Sequence, residues 1–126
     1  MTLNCLINCL LDEDSSDRII EAHLLGIIDK DESEHPEKIL KRKDTARILH
    51  LYMKKVLGVT DEDDITPASV MKDLYDCRVC VNHIAQVYLK GIMKAHAYPN
   101  GLLLFDSGLE ISDEEAKEAV NNLPKR

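Results

Sequence analysis

Cys77, Cys80 and His83 spell Cys-x-x-Cys-x-x-His, so two thiolates and an imidazole stand at spacings that could supply three ligands to Zn²⁺, with Cys5 or Cys9 as the fourth. The same residues fit a plainer reading, in which the four cysteines are reduced thiols that serve as small apolar side chains. No glycine-bearing knuckle surrounds the pair. A second chemistry is anion binding. Lys38, Lys41, Arg42, Lys43, Arg47, Lys54 and Lys55 crowd one stretch of an acidic chain, and Lys41, Arg42, Lys43 and Arg47 with the adjoining Asp44 could grip a carboxylate or phosphate. The alternative is a solvated helix face that carries no ligand. The acidic clusters Asp12–Asp14, Asp29–Glu34 and Asp61-Glu62-Asp63-Asp64 lack the alternating oxygens, central glycine and closing glutamate of a calcium loop. They read instead as solubilising surface, or as negative charge offered to a basic partner, of the kind that mimics phosphate arrays.

Catalytic signatures are not seen. The sequence has no Gly-x-Ser-x-Gly elbow, phosphate-binding glycine loop or His-Glu-x-x-His pair, and its five histidines are scattered. The expectation is a chain that is not an enzyme and needs no cofactor unless zinc is bound. With 16 Lys plus Arg against 23 Asp plus Glu, the net charge of −7 opposes binding to nucleic-acid backbones and to anionic lipid. Four tyrosines, one phenylalanine and no tryptophan leave few platforms for stacking bases. The start lacks a positive n-region and its apolar run is broken by Asn4 and Asn8, so no signal peptide or membrane span is expected and the chain reads as cytoplasmic.

The elements that must position these residues follow from hydrophobic periodicity. The 126 residues suit one domain that folds without disulfides or metal. Leu3, Leu6, Ile7, Leu10 and Leu11 predict a first helix. Ser15, Ser16 or Asp17 can cap a second whose Ile19, Ile20, Leu24, Leu25, Ile27 and Ile28 form a buried stripe, with Gly26 near its end. Asp29 to Lys38 reads as loop. From Lys41, the residues Ala46, Ile48, Leu49, Tyr52, Met53, Val56 and Leu57 resume the helical period up to Gly58, with His50 and Tyr52 as structural or surface positions. After an acidic linker over 59–66, Thr66-Pro67 predicts a short helix through Leu74. Residues 77–93 continue as a further helix interrupted late by Gly91. The run 102–105 is too short for a helix and reads as a strand or buried extended segment. Ser112 to Glu115 fits a capping box, with Glu115 reaching back to its cap, ahead of a last helix that Pro124 stops.

Two stretches repeat. Leu24-Leu25-Gly26-Ile27-Ile28 and Leu89-Lys90-Gly91-Ile92-Met93 share a layout, and each is followed by a loop and a second helix, at Leu40-Lys41-Arg42-Lys43-Asp44-Thr45-Ala46 and Ile111-Ser112-Asp113-Glu114-Glu115-Ala116. This pattern resembles the S-layer homology (SLH) domain, a helix-loop-helix module of bacteria that occurs in tandem. The resemblance implies an all-α fold of two units, about residues 15–58 and 67–123, sharing one core. It also implies recognition of a pyruvylated cell-wall polymer, with the motif arginine at Arg42 and its acidic residue at Asp44. In the second unit Asp113 occupies the arginine position and Glu115 the acidic one, which reverses the sign offered to an anion. The reading that follows is a non-catalytic, cytoplasmic binding module for a protein partner, an adaptor or inhibitor, of which phage inhibitors of host defence nucleases are one form. Wall-polymer recognition through Arg42 is the alternative, and a small structural zinc protein the second alternative.

Overall fold

The computed structural model describes residues 1–11 and 17–124 of the chain. Among these residues there are six α-helices: α1 Leu3–Leu10, α2 Arg18–Leu24, α3 Lys30–Ser33, α4 Arg42–Lys55, α5 Val81–Leu89 and α6 Asp113–Asn121. Two short strands, β1 His96–Ala97 and β2 Leu103–Leu104, pair antiparallel with His96 opposite Leu104 and Ala97 opposite Leu103. The fold is therefore helix-rich but not purely all-α. The segment expected to be extended near 102–105 is one strand of a hairpin, turned by residues that include Gly101 at φ +82°.

The periodicities place the core. On α1, Leu3, Leu6, Ile7 and Leu10 are buried. Thr2 caps that helix by accepting from the Cys5 N–H at 3.2 Å. On α4 the buried face runs through Ala46, Leu49, His50 and Met53, and this face packs against α5. Helix α1 packs against α2 and α6. Among the described residues, all the buried apolar side chains belong to one cluster.

Where expectations fail, local chemistry explains it. Helix α2 stops at Leu24 rather than continuing through Ile28, because Gly26 at φ +80° closes a Schellman motif: Ile27 N–H donates to Ala22 O at 3.1 Å and Gly26 N–H to His23 O at 3.0 Å. The expected stripe is correspondingly narrower, with Ile20 54% and Leu24 81% exposed. Asp17 is the α2 cap, while Ser15, Ser16 and Asp12–Asp14 lie outside the described residues. The stretch read as loop contains α3, opened by a capping box in which Asp29 and Glu32 each accept the other's backbone N–H.

The helix expected from Thr66-Pro67 through Leu74 is instead 3₁₀ turns at Thr66–Val70 and Leu74–Asp76, and the helix expected over 77–93 opens with another 3₁₀ turn at Arg78–Cys80 and is α-helical only over Val81–Leu89. Ala68, Met71 and Leu74 are buried and stand every third residue, with Cys77 and Cys80 continuing the spacing, and a strict period of three suits 3₁₀ geometry better than α. These turns pack on α5, so α5 is flanked by them and by α4.

The segments that lead into α1, α4 and α6 meet in a ring. Leu40 N–H donates to Met1 O at 3.0 Å and Ile111 N–H to Leu40 O at 3.1 Å. The Met1 ammonium closes the circle on Ile111 O at 3.3 Å. Single antiparallel bridges join Thr2 to Ile39 and Lys41 to Glu110 around it. Among the described residues, no helix is long and apolar enough to cross a membrane.

Candidate functional site

Arg42 opens α4, where the sequence points to an anion-binding guanidinium, but its side chain is 2% exposed. Its Nε donates to Phe105 O at 2.7 Å, Nη2 donates to Lys94 O at 2.6 Å, and Nη1 pairs with the Glu115 carboxylate. Its carbon lies 4.6 Å from the Phe105 ring centroid. The carbonyl it reaches is itself fixed, because Asp73 accepts from both Phe105 N–H and Asp106 N–H at 2.8 Å. This corrects two expectations. Arg42 ties α4 to the second half of the chain instead of facing a ligand, and Glu115 turns to Arg42 rather than back to Ser112, which caps α6 by itself.

The rest of the basic cluster is also largely spent within the fold. Glu32, 2% exposed, accepts from Arg47 Nη2 at 2.5 Å and from Lys38 Nζ at 3.1 Å. Asp44 accepts the Lys41 N–H at 2.9 Å and sits 3.7 Å from Lys38 Nζ. The Lys43 N–H donates to Ser107 O at 3.0 Å, and of the five proposed ligand residues only Lys41 is exposed.

The acidic segment 61–64 is held differently, by its backbone. Gln86, fully buried on α5, accepts the Glu62 N–H at 2.8 Å and donates to Glu62 O at 3.0 Å. Lys90 Nζ donates to Thr60 O at 2.8 Å. Glu62, Asp63 and Asp64 remain exposed. Asp64 accepts the Thr66 N–H at 2.9 Å, and the Thr66 side chain, then that backbone bond, hold its carboxyl below the usual range. Asp61 is the member drawn inward.

Asp61 ends a chain of polar side chains that periodicity does not reveal. His50 Nε2 lies 2.7 Å from Asp61 Oδ1, and His50 Nδ1 lies 2.7 Å from His83 Nδ1. Asn82 donates to Asp61 Oδ2 at 3.1 Å, and Lys54 Nζ stands 3.5 Å from the same oxygen. Burial raises the Asp61 pKa, but hydrogen bonds from His50 and Asn82 outweigh it and hold the carboxyl low. Burial, then the neighbouring His50, pushes His83 down to about 4, so its ring is neutral at pH 7. The Asp61 carboxylate fixes a proton on His50 Nε2. When His50 is neutral, its Nδ1 is an acceptor for His83 Nδ1–H.

The cysteines correct the expectation of reduced thiols: Cys77 and Cys80 are joined as a disulfide at the start of α5. Cys5 and Cys9 are free and exposed on α1. Among the described residues, no three His, Cys, Asp or Glu side chains stand ready as a metal cage. His50 is the functional candidate that sequence reasoning passed over. The available signal was its place on the buried stripe of α4, between Ala46 and Met53, where an imidazole must find a partner.

Comparison of the chain with protein families, with curated proteins and with solved structures gives no match.

Proposed function

We propose that the chain is a non-catalytic binding module whose acidic segment 62–64 docks a basic protein partner. The observation that carries this is the contrast between the two charged clusters. Arg42 and Arg47 are consumed by Glu115 and Glu32, whereas Glu62, despite a contact with Lys90 Nζ at 3.4 Å, stays exposed with Asp63 and Asp64 on a backbone clamped to buried Gln86. Carboxylates on a fixed backbone lose little conformational freedom when they bind, and they steer a cationic partner at long range. An adaptor or inhibitor acting in the cytoplasm fits this role, and a nuclease or other protein with a phosphate-binding surface is the corresponding partner. Wall-polymer recognition is the weaker reading, since it requires Arg42 to leave three internal acceptors.

The architecture belongs to the same proposal. We read α2 to α4 and α5 to α6 as two SLH-like helix-loop-helix units. Support comes from Gly91 at φ +73°, which closes α5 with the same Schellman pair that Gly26 makes on α2, Ile92 N–H to Val87 O at 2.8 Å and Gly91 N–H to Tyr88 O at 3.1 Å. Helix α1, whose lead-in joins the ring with those of α4 and α6, takes the place of a third second-helix.

The test is retention of soluble bacterial protein and of purified cell wall by the immobilised chain. The expected result is a basic protein that elutes with salt and is lost on combined Glu62→Gln and Asp63→Asn substitution, a pair that leaves Asp61 and its histidine intact. Retention of wall polymer by the chain, unaffected by those substitutions, overturns the proposal.

A further inference from the structure

Two imidazole nitrogens face each other between α4 and α5, and the disulfide-bonded Cys77 and Cys80 stand in the turn that leads into α5, Cys80 as its N-cap. His83 follows Cys80 by three residues, a spacing that shares a helical face, and Cys77 is bonded to Cys80. His50 reaches the same place from α4, with Nδ1 2.7 Å from His83 Nδ1. We infer that, once the Cys77–Cys80 disulfide is reduced, Cys77, Cys80, His83 and His50 form a four-ligand site for Zn²⁺ or a similar soft divalent cation.

The donors suit the ion. Two thiolates and two neutral imidazoles are a complete tetrahedral set, and they cancel the charge of a divalent cation where a half-buried surplus would be costly. Both Nδ1 atoms already point at one spot. A shared zinc at about 2.0–2.1 Å from each nitrogen places tetrahedral ligands about 3.3 Å apart, so the rings need to part only slightly from their present contact. The surroundings of His50 match those of a metal ligand: its other nitrogen is held by the Asp61 carboxylate at 2.7 Å, which fixes the tautomer that leaves Nδ1 free to ligate. Asn82 and Lys54 hold that carboxylate in turn. Asp61 is thus a positioning residue. His50 replaces Cys5 or Cys9 as the fourth ligand.

The site is gated by oxidation state. A dithiol reductant breaks the Cys77–Cys80 bond, passes two electrons and two protons to the sulfurs and itself closes to a disulfide. Zinc then displaces the two thiol protons, which go to solvent. A small-molecule disulfide reverses the sequence: it takes two electrons from the thiolates, leaves as two thiols after protonation, and ejects the metal.

The experiment uses the full chain, reduced with dithiothreitol and desalted without oxygen, then titrated with Co²⁺ and Zn²⁺. The expected result is one Co²⁺ per chain with thiolate charge-transfer and tetrahedral visible bands, displaced by one Zn²⁺, and protection of Cys77 and Cys80 from alkylation while Cys5 and Cys9 react. The untouched oxidised chain takes up neither ion at this site. In the ¹¹³Cd form, coupling of the metal to Nδ1 of both His50 and His83 is expected, a readout that needs no substitution. Asp61→Asn weakens zinc binding by about 10–100-fold without changing the stoichiometry. His83→Gln, on a half-exposed ring, abolishes the tetrahedral bands. Substoichiometric uptake by the reduced chain, or cadmium bound with no coupling to either histidine, overturns the assignment.

Discussion

At the scale of single residues, two positions carry more than their type suggests. Arg42 is buried with a full set of acceptors, so its removal leaves the Phe105 and Lys94 carbonyls and the Glu115 carboxylate without their donor. Breaking a buried pair on one side costs about 3–5 kcal/mol. Arg42→Ala should accordingly lower the thermal midpoint by about 10–20 °C, read by circular dichroism. Arg42→Lys should fall between, because one ammonium cannot serve three acceptors spread around a planar fork. A variant with unchanged stability would restore Arg42 as a surface ligand residue. Asp106 is the other. Its backbone holds φ 60°, and its carboxylate accepts from His96 Nδ1 at 2.7 Å and from the Tyr98 hydroxyl at 2.5 Å. Burial raises its pKa, but those two hydrogen bonds and the charges of His96 and Arg42 outweigh it and hold the group low. With the folded value below the unfolded one, the stabilisation is present above the unfolded pKa and disappears as pH falls through the folded value. Asp106→Asn tolerates the left-handed backbone and removes the titration. Urea midpoints should then differ between wild type and variant at pH 7 and converge towards pH 3, a difference that Asp61 and Asp64, present in both, do not cancel.

At the scale of elements, the two matching helix ends invite a paired test. Gly26 and Gly91 hold φ +80° and +73°, where an L side chain costs about 1–2 kcal/mol. A Cβ at Gly91 meets nothing within 4 Å, and one at Gly26 comes within 2.6 Å of Lys55 Nζ, the mobile tip of a long side chain that can swing away. Gly26→Ala and Gly91→Ala should therefore cost nearly the same in denaturant melts, and asparagine at either place should recover part of the loss. A large cost at Gly26 alone would mean that the Lys55 contact, not the backbone, fixes that turn. These glycines also mark what was legible from sequence. Apolar spacing located α1, α4, α5 and α6, and the short run at 102–105 gave its own strand. The 3₁₀ turns were missed because Thr66-Pro67 is an equally good opening for an α-helix, and only the three-residue period from Ala68 to Cys80 separates the two. α3 escaped because a four-residue helix held by its own capping box has no apolar stripe to find. At the candidate site, the acidic segment was readable as charge, but its clamp joins it to Gln86 on α5 and the His50–His83 contact joins α4 to α5, so neither partner is visible in the local sequence even though His50 stands on a buried stripe. The basic cluster misled for the same reason: Glu115, which neutralises Arg42, is far away in the chain.

For the molecule as a whole, cohesion rests on the convergence of α1, α4 and α6, and the ring of hydrogen bonds among Met1, Leu40 and Ile111 makes each lead-in depend on the other two. Helix α1 contributes Leu3, Leu6 and Ile7 at 0% exposure and Leu10 at 8%. At about 1.5–3 kcal/mol for each fully buried side chain, their sum is of the same order as the 5–15 kcal/mol net stability of an entire domain. Those side chains pack into the same core cluster as α4 and α5, so the loss is felt beyond α1 itself. Deleting residues 1–11 should therefore abolish the cooperative unfolding transition, leaving a species with helical far-ultraviolet signal, weak tertiary signal and dye-binding apolar surface. The milder Leu6→Ala should keep the transition and cost about 2–5 kcal/mol, as expected for a cavity in a shared core. A deletion variant that still melts in one sharp step would mean that α4, α5 and α6 close a core by themselves. α1 would then be an appended helix rather than the third member of the ring, and the reading of three matching lead-ins would fail with it.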